Sequence, residues 1–234
     1  SHRQMVWNAV DILATGLAGT YGTVLITFPF FHIGGWNTFT PLFYAGITGI
    51  LMREFNPGLM LDLIHEGRVE NFGAVEAMLQ FLIAHPKFGE TDFSRLKAIT
   101  TAAAPCSKAV MKTFLDKGIP ISQSYGMTEA GPSNFAYIAR SDSLEELLTH
   151  SASIGTSMFH CDAKIIDRES GREVKPGATG RKHQSGQQCW QNGRREWRRS
   201  AAGVGKPRIS STPQAGLSPC GAQTRYRRYG APAD

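Results

Sequence analysis

The chain has 234 residues, a formal net charge of +6, 41% hydrophobic and 19% charged residues; that length can bury the core of one large or two modest domains. Its four cysteines, Cys106, Cys161, Cys189 and Cys220, are widely spaced, which argues against a Cys-x-x-Cys zinc site and against a disulfide framework. The longest apolar run, Thr40 to Met52, is too short to span a bilayer, so the expectation is a protein with no membrane span, no secretory leader and a reducing, cytoplasmic setting.

In chain order, His2 to Leu17 reads as a helix. Met5, Val6, Ala9, Ile12 and Leu13 share one face, and Gly16 and Gly19 stop it. Thr23 to Phe31 is a nearly continuous apolar, β-branched run, the pattern of a strand buried on both faces of a parallel sheet. Leu42 to Gly46 leads into a second strand at Ile50-Leu51-Met52. Asn56 then caps a helix that opens on Pro57 and runs to Gly67. Val69 to Gly73 fits a strand, Val75 to Ala84 a helix, and Leu96 to Ala104 a strand ending in small residues. Ser107 opens a helix that Gly118 closes. Ser143 with Glu146 forms a capping box ahead of Leu147-Leu148. Ala163 to Asp167 and the turn Asp167-Arg168-Glu169-Ser170-Gly171 predict a hairpin.

Strands alternating with helices predict an α/β fold over residues 1–158, a mostly parallel sheet flanked by helices. Residues 159–180 change style, toward a small β-rich subdomain. After Gly180 the texture changes again. Residues 181–234 contain eleven Lys and Arg against Glu196 and Asp234, and only Val204, Ile209 and Leu217 among Leu, Ile, Val and Phe. Too little apolar surface is present there for a core, so an unstructured basic tail is expected. A basic arm for nucleic acid is the alternative, but no recognisable module accompanies Trp190 and Trp197, and no nucleic-acid partner is expected.

In open α/β sheets ligands bind beyond the carboxyl ends of the strands. Three segments fall there: Phe31-His32, Ala102-Ala103-Ala104-Pro105 and Ser124-Tyr125-Gly126. The last continues into Met127-Thr128-Glu129 after the apolar Ile119-Pro120-Ile121. Gly126 would let backbone approach a ligand closely. Thr128 can donate to a phosphate oxygen, and Glu129 can hold a hard cation. On the residues alone, a nucleotide site and a plain strand-end turn both fit.

The ten residues Ser122 to Gly131 resemble the Tyr-Gly-x-Thr-Glu signature of the adenylate-forming (AMP-binding) enzymes: acyl- and aryl-CoA synthetases, luciferases and peptide-synthetase adenylation domains. Phe28-Pro29-Phe30-Phe31-His32-Ile33-Gly34-Gly35 is similar to the Pro-x-Phe-His-x-x-Gly segment of that family, and Thr101-Ala102-Ala103-Ala104-Pro105-Cys106-Ser107 to its Gly-Gly-Ala-Pro-Leu-Ser loop, with alanines in place of glycines. Ser153-Ile154-Gly155, Lys164-Ile165-Ile166-Asp167 and Gly177-Ala178-Thr179-Gly180 resemble the family's entrance to a small β-barrel. The resemblance covers residues 1–180 and implies a fragment of the large N-terminal domain. It implies an acid–CoA ligase that activates a fatty or aryl acid with ATP and Mg²⁺ and transfers it to coenzyme A. His32 and Ser124 would bind the acid. Ala103, Ala104, Pro105, Tyr125, Gly126 and Thr128 would bind the nucleotide, Glu129 the metal, with Thr128 and Glu129 catalytic. Met127 is more like the CoA synthetases than the peptide-synthetase domains. An adenylation domain feeding a carrier protein, and a non-catalytic nucleotide-binding remnant, are the alternatives.

Departures from the family pattern carry further expectations. The phosphate loop ending in Pro-Lys-Gly precedes a Ser-His pair in that family, whereas this chain opens on Ser1-His2. The C-terminal domain with its lysine is also missing, so the chain as given is expected not to turn over. The Arg-rich, Phe-free segment after Gly180 fits an out-of-frame translation.

Overall fold

The computed structural model describes residues 2–16, 22–137, 144–167 and 169–174, and the backbone of residues 181–185. The described part falls into two compact units, one made of the residues up to 162 together with 184–185, the other of residues 163–174 and 181–183. The first is built on a seven-stranded sheet in the order β2-β1-β3-β4-β5-β6-β7. Its strands are β1 (Val24–Ile26), β2 (Gly49–Leu51), β3 (Asn71–Ala74), β4 (Ala98–Thr101), β5 (Ile121–Met127), β6 (Gly131–Ala136) and β7 (Thr156–Ser157). The first five run parallel, and β6 and β7 are antiparallel to their neighbours. The mostly parallel α/β sheet expected from the alternation is what forms.

Each crossover between parallel strands carries a helix: α2 (Ile33–Ala45), α3 (Pro57–His65), α4 (Glu76–Ala84) and α5 (Lys108–Leu115), while α1 (His2–Thr15) leads the chain and α6 (Leu144–Thr149) follows β6. Local chemistry sets several of these boundaries. Asn56 caps α3 through Leu59 N–H at 2.9 Å with Pro57 in the first turn, and Ser107 caps α5. The Ser143 half of the expected capping box lies outside the described residues; the helix itself starts at Leu144.

All three residues of β1 are buried, as a strand covered on both faces requires. Leu25 packs with Phe72, Ile99, Ile121, Ile64 and Phe114 in the main core under α3, α4 and α5. Val24 and Ile26 turn the other way and meet Leu42 of α2. The long strand expected over Thr23 to Phe31 is only three residues, because Pro29 cannot donate to a ladder and the chain turns to cap α2. Helix α2 was not expected. It occupies Leu42 to Ala45, which the pattern had leading into a strand, and β2 begins only at Gly49.

In the second unit, β8 (Asp162–Ile166) is followed by a tight turn. The Asp167 carboxylate accepts from Ser170 N–H at 2.7 Å, and Ile166 bridges Glu173 in antiparallel sense. Arg168 and Gly177 to Gly180 lie outside the described residues. The backbone at Arg181–Ser185 forms β9 and pairs with β8. These five residues fall in the segment expected as the tail; strand pairing uses backbone groups and does not need apolar side chains. The rest of that segment, 186–234, lies outside the described residues. No helix among the described residues is long and apolar enough to cross a membrane.

Candidate active site

The strand order 2-1-3-4-5 reverses between β1 and β3, and such a switch point opens a crevice beyond the carboxyl ends of the strands. A cavity of about 80 Å³ lies there. Val24 and Phe28 from β1 and its exit, Gly73 from β3, Thr100 and Ala102 from β4 and its exit, and Ser124 from β5 contribute to its wall. Helices α1 and α2 close it with Leu13, Asn37, Thr38 and Leu42, and Ser133 of β6 completes it.

Phe28 forms one side of the crevice because two glycines leave it room. A Cβ on Gly34 would meet the Phe28 Cγ at 3.1 Å, and one on Gly73 would meet Cε2 at 3.1 Å. Thr27 anchors the turn beneath by donating to the Gly73 carbonyl at 2.6 Å. On the opposite wall, Asn37 donates to Ser133 Oγ at 2.9 Å and accepts from Asn8 Nδ2 at 2.6 Å, while Asn8 Oδ1 takes the Ser133 N–H. This chain of amides joins α1, α2 and β6 and makes that wall polar.

Ser124 is the one expected acid-binding residue that lines the cavity; its hydroxyl lies 3.5 Å from the Thr101 carbonyl. His32 is not among the lining residues. It is exposed, and its Nδ1 accepts the Gly34 N–H at 3.0 Å as the cap of α2. With Nδ1 held as an acceptor, the proton of the neutral ring sits on Nε2, which remains a donor.

The Ala103-Ala104-Pro105 loop is exposed beyond β4. Thr101 pairs in register with Gln123, so this loop and the second half of β5 leave the same edge of the sheet side by side. Ala103 has φ 72, the one non-glycine with positive φ among the described residues, a conformation that costs an L-residue about 1–2 kcal/mol. Behind the loop, burial pushes the Cys106 thiol up to about 11, Glu76 adds to the effect, and a bond to Thr101 opposes it. Glu76 at the start of α4 is held below its ordinary 4.5, chiefly by the Ser107 hydroxyl, so α4 is tied to the start of α5.

Ser124, Tyr125 and Gly126 lie within β5 rather than in a turn after it. The reversal comes later, in a short 3₁₀ turn at Thr128–Ala130 followed by Gly131 with φ 94. Beyond Gln123 the strand loses its parallel partner and continues as an antiparallel hairpin with β6, Tyr125 opposite Phe135 and Met127 opposite Gly131. Gly126 sits at the irregular step of that pairing, and a Cβ there would fall on the Pro132 carbonyl oxygen. The hairpin itself therefore requires the glycine. Tyr125 is half-buried against Phe135, and Thr128 and Glu129 are exposed at the tip. One carboxylate with an adjacent hydroxyl fits a hard cation that takes its remaining ligands from phosphate and water.

Ser124 and the hairpin tip are among the residues singled out in the sequence; Phe28's partner Gly73, and Asn37, Thr38 and Ser133, are not. These come from three separate elements, β3, α2 and β6, with no common spacing. The polar Asn8-Asn37-Ser133 set carries one available signal, the helical spacing of Gln4, Asn8 and Asp11, all three of them buried on α1.

Residues 1–190 match the family described as AMP-binding enzyme. The chain is 33% identical over 181 residues to an indoleacetate–CoA ligase of Aromatoleum aromaticum, covering 77% of this chain and 34% of the relative. It is 30% identical over 181 residues to a feruloyl-CoA synthase of an Amycolatopsis species, covering 77% and 36%. Among solved structures it resembles the N-terminal domain of FACL13 from Mycobacterium tuberculosis, with a TM-score of 0.67 and 26% identity over 75% of this chain and 43% of that one. The chain thus spans about a third of the length of the curated relatives it matches.

Proposed function

Because this chain belongs to the AMP-binding enzyme family, we propose that it forms the acid- and adenine-binding part of an ATP-dependent, AMP-forming acid–CoA ligase. The observation that carries the reading is the crevice at the β1/β3 switch point, flanked by the Ala103–Pro105 loop and the Thr128–Glu129 tip along one sheet edge. The narrow, mainly apolar cavity supports a compact aryl or arylalkyl acid over a long acyl chain, in keeping with the names of the two relatives. Both of those relatives use coenzyme A by name, which favours it over a carrier protein as acceptor.

In this reading the acid's body lies against Phe28 and Gly73 with Ser124 beside it, and the His32 Nε2–H donates to its carboxylate. The adenine lies between Ala103-Ala104-Pro105 and Tyr125, with Gly126 in the floor. Thr128 donates to phosphate, and Glu129 holds Mg²⁺, which supplies neutralisation of phosphate charge. The carboxylate attacks the α-phosphorus, pyrophosphate leaves, and the coenzyme A thiol then displaces AMP from the acyl group. The protein's share is positioning and charge placement. The subdomain boundary near 158, the β-barrel character of the residues that follow and a cytoplasmic location belong to the same proposal. The 234 residues contain no Gly-rich loop ending in Pro-Lys-Gly, so the chain alone is proposed not to turn over.

The test is carboxylate-dependent exchange of labelled pyrophosphate into ATP, run on a protein of the relatives' length that carries this sequence. Glu129→Gln keeps size and removes charge, and should lower exchange by about 10²–10³-fold. Exchange equal to that of the parent would refute the assignment.

A further inference from the structure

The hairpin that carries Thr128 and Glu129 is fastened from one side chain. Asn134 is fully buried in β6. Its Oδ1 accepts the Met127 N–H at 3.1 Å, and its Nδ2 donates to the Ala130 carbonyl at 2.9 Å. These two bonds bracket Thr128 and Glu129, one residue before the pair and one after. The Asn134 backbone is itself held, because its carbonyl accepts from Met158 N–H at 2.8 Å. From α1, the Gln4 amide donates to the Thr128 carbonyl at 3.3 Å.

This is more than a chain reversal needs. Gly131 already supplies the positive φ that turns β5 into β6, and the Tyr125–Phe135 pairing already closes the hairpin. Asparagine in a strand interior has poor intrinsic preference and loses its hydration on burial. An apolar residue would fill the position without either cost. What the amide adds is a fixed path for the two exposed residues at the tip, a part of the chain that otherwise frays. A site that must place a hydroxyl and a carboxylate to within about 0.5 Å needs that kind of support from behind.

We propose that Asn134 is a positioning residue: it locks the Thr128–Glu129 turn so that both side chains meet a metal-bound nucleotide phosphate together. The proposal rests on the nucleotide reading of that turn. The Asn134 side chain bonds to the backbone on either side of Thr128 and Glu129, so its removal should affect the phosphate and metal end of the ligand and spare the adenine end.

The test uses the 234-residue chain with Asn134→Leu, which removes both bonds, and the near-isosteric Asn134→Asp, which keeps the acceptor for Met127 and loses the donor to Ala130. Amide hydrogen exchange, affinity for Mg·ATP and affinity for metal-free AMP are measured on parent and variants. Asn134→Leu should speed exchange at Met127 and weaken Mg·ATP by about tenfold, the loss of one to two hydrogen bonds, with exchange at Ile121 to Gln123 and affinity for AMP unchanged. Asn134→Asp should fall between, which keeps the test decisive if the leucine variant does not fold. Parallel weakening of Mg·ATP and AMP, or parental exchange at Met127, would overturn the positioning role. Failure of the parent to bind either nucleotide would instead overturn the nucleotide reading, and the positioning role with it.

Discussion

The side-chain carbonyl of Gln123 accepts the backbone N–H of Cys106 at 3.0 Å, and both residues are buried. One bond thus joins β5, just before the half that pairs with β6, to the loop that follows β4. The two segments proposed to hold the adenine are fixed to each other from behind. Gln123→Leu leaves the Cys106 N–H without that partner and should cost about 1–3 kcal/mol. Urea unfolding of the parent and variant chains measures it; equal midpoints would show that the loop finds another acceptor.

Ala103 should be more stable as glycine. Its φ of 72 is strained for alanine and free for glycine. Part of that gain is offset by the greater freedom of glycine in the unfolded chain. Ala103→Gly should therefore raise stability by up to about 1 kcal/mol, read as an upward shift of the thermal midpoint. A drop would show that the loop holds its shape through the methyl group.

Two groups near that loop make stability depend on pH at opposite ends of the scale. The Cys106 thiol stays protonated in the folded chain to about 11, whereas an ordinary thiol ionises near 9.0. The unfolded state therefore loses its proton first, and stability falls as pH rises through that interval. Cys106→Ser should flatten the alkaline limb of the stability profile. At the other end, Glu76 is ionised in the folded chain below its ordinary 4.5, mainly through the Ser107 hydroxyl. Its contribution is present above 4.5 and is lost as pH falls through the lower folded value. Glu76→Gln should flatten the acid limb. Unfolding profiles between strong acid and strong alkali check both slopes.

Gly73 controls the bore of the crevice. An added methyl would press on Phe28 at 3.1 Å and on the space beside Thr100. Gly73→Ala should weaken binding of an aryl acid such as indole-3-acetate by about tenfold or more, since an extra methylene in a packed site costs about 1–3 kcal/mol. Ligand-observed NMR with the parent and variant chains gives the ratio. Undiminished binding would place the acid elsewhere.

Much of the sheet was legible because its signals are local. Asn56-Pro57 and Ser107 mark helix starts by their own hydrogen bonds, and the buried β1 shows as a run of apolar, β-branched residues. Helix α2 was not legible. It is rich in aromatics, glycine and threonine, contains Pro41, and is capped by His32 instead of a common capping residue. It forms because its Leu42 face packs on Val24 and Ile26, a tertiary contact that overrides weak propensity. The hairpin was half legible. Tyr125 to Glu129 carried a motif, but β6 is small and polar in its first half, so its pairing with β5 left no alternating pattern to find. The crevice wall was least legible, since Asn37, Gly73 and Ser133 become neighbours only after the strand order has reversed.

The outer strand of the parallel ladder has a consequence for handling. Among the described residues strand β2 ends the sheet, and Leu51 on it is 60% exposed, close in sequence to Phe43 at 72%. Its outward row of backbone donors and acceptors can be continued by any extended segment, including one from another molecule. Recovery of monomer after dilution from denaturant should then fall as chain concentration rises, and a charge at this rim, Leu51→Lys, should restore it without touching the crevice. The same rim sets how concentrated a sample can be before molecules begin to add to one another edge to edge.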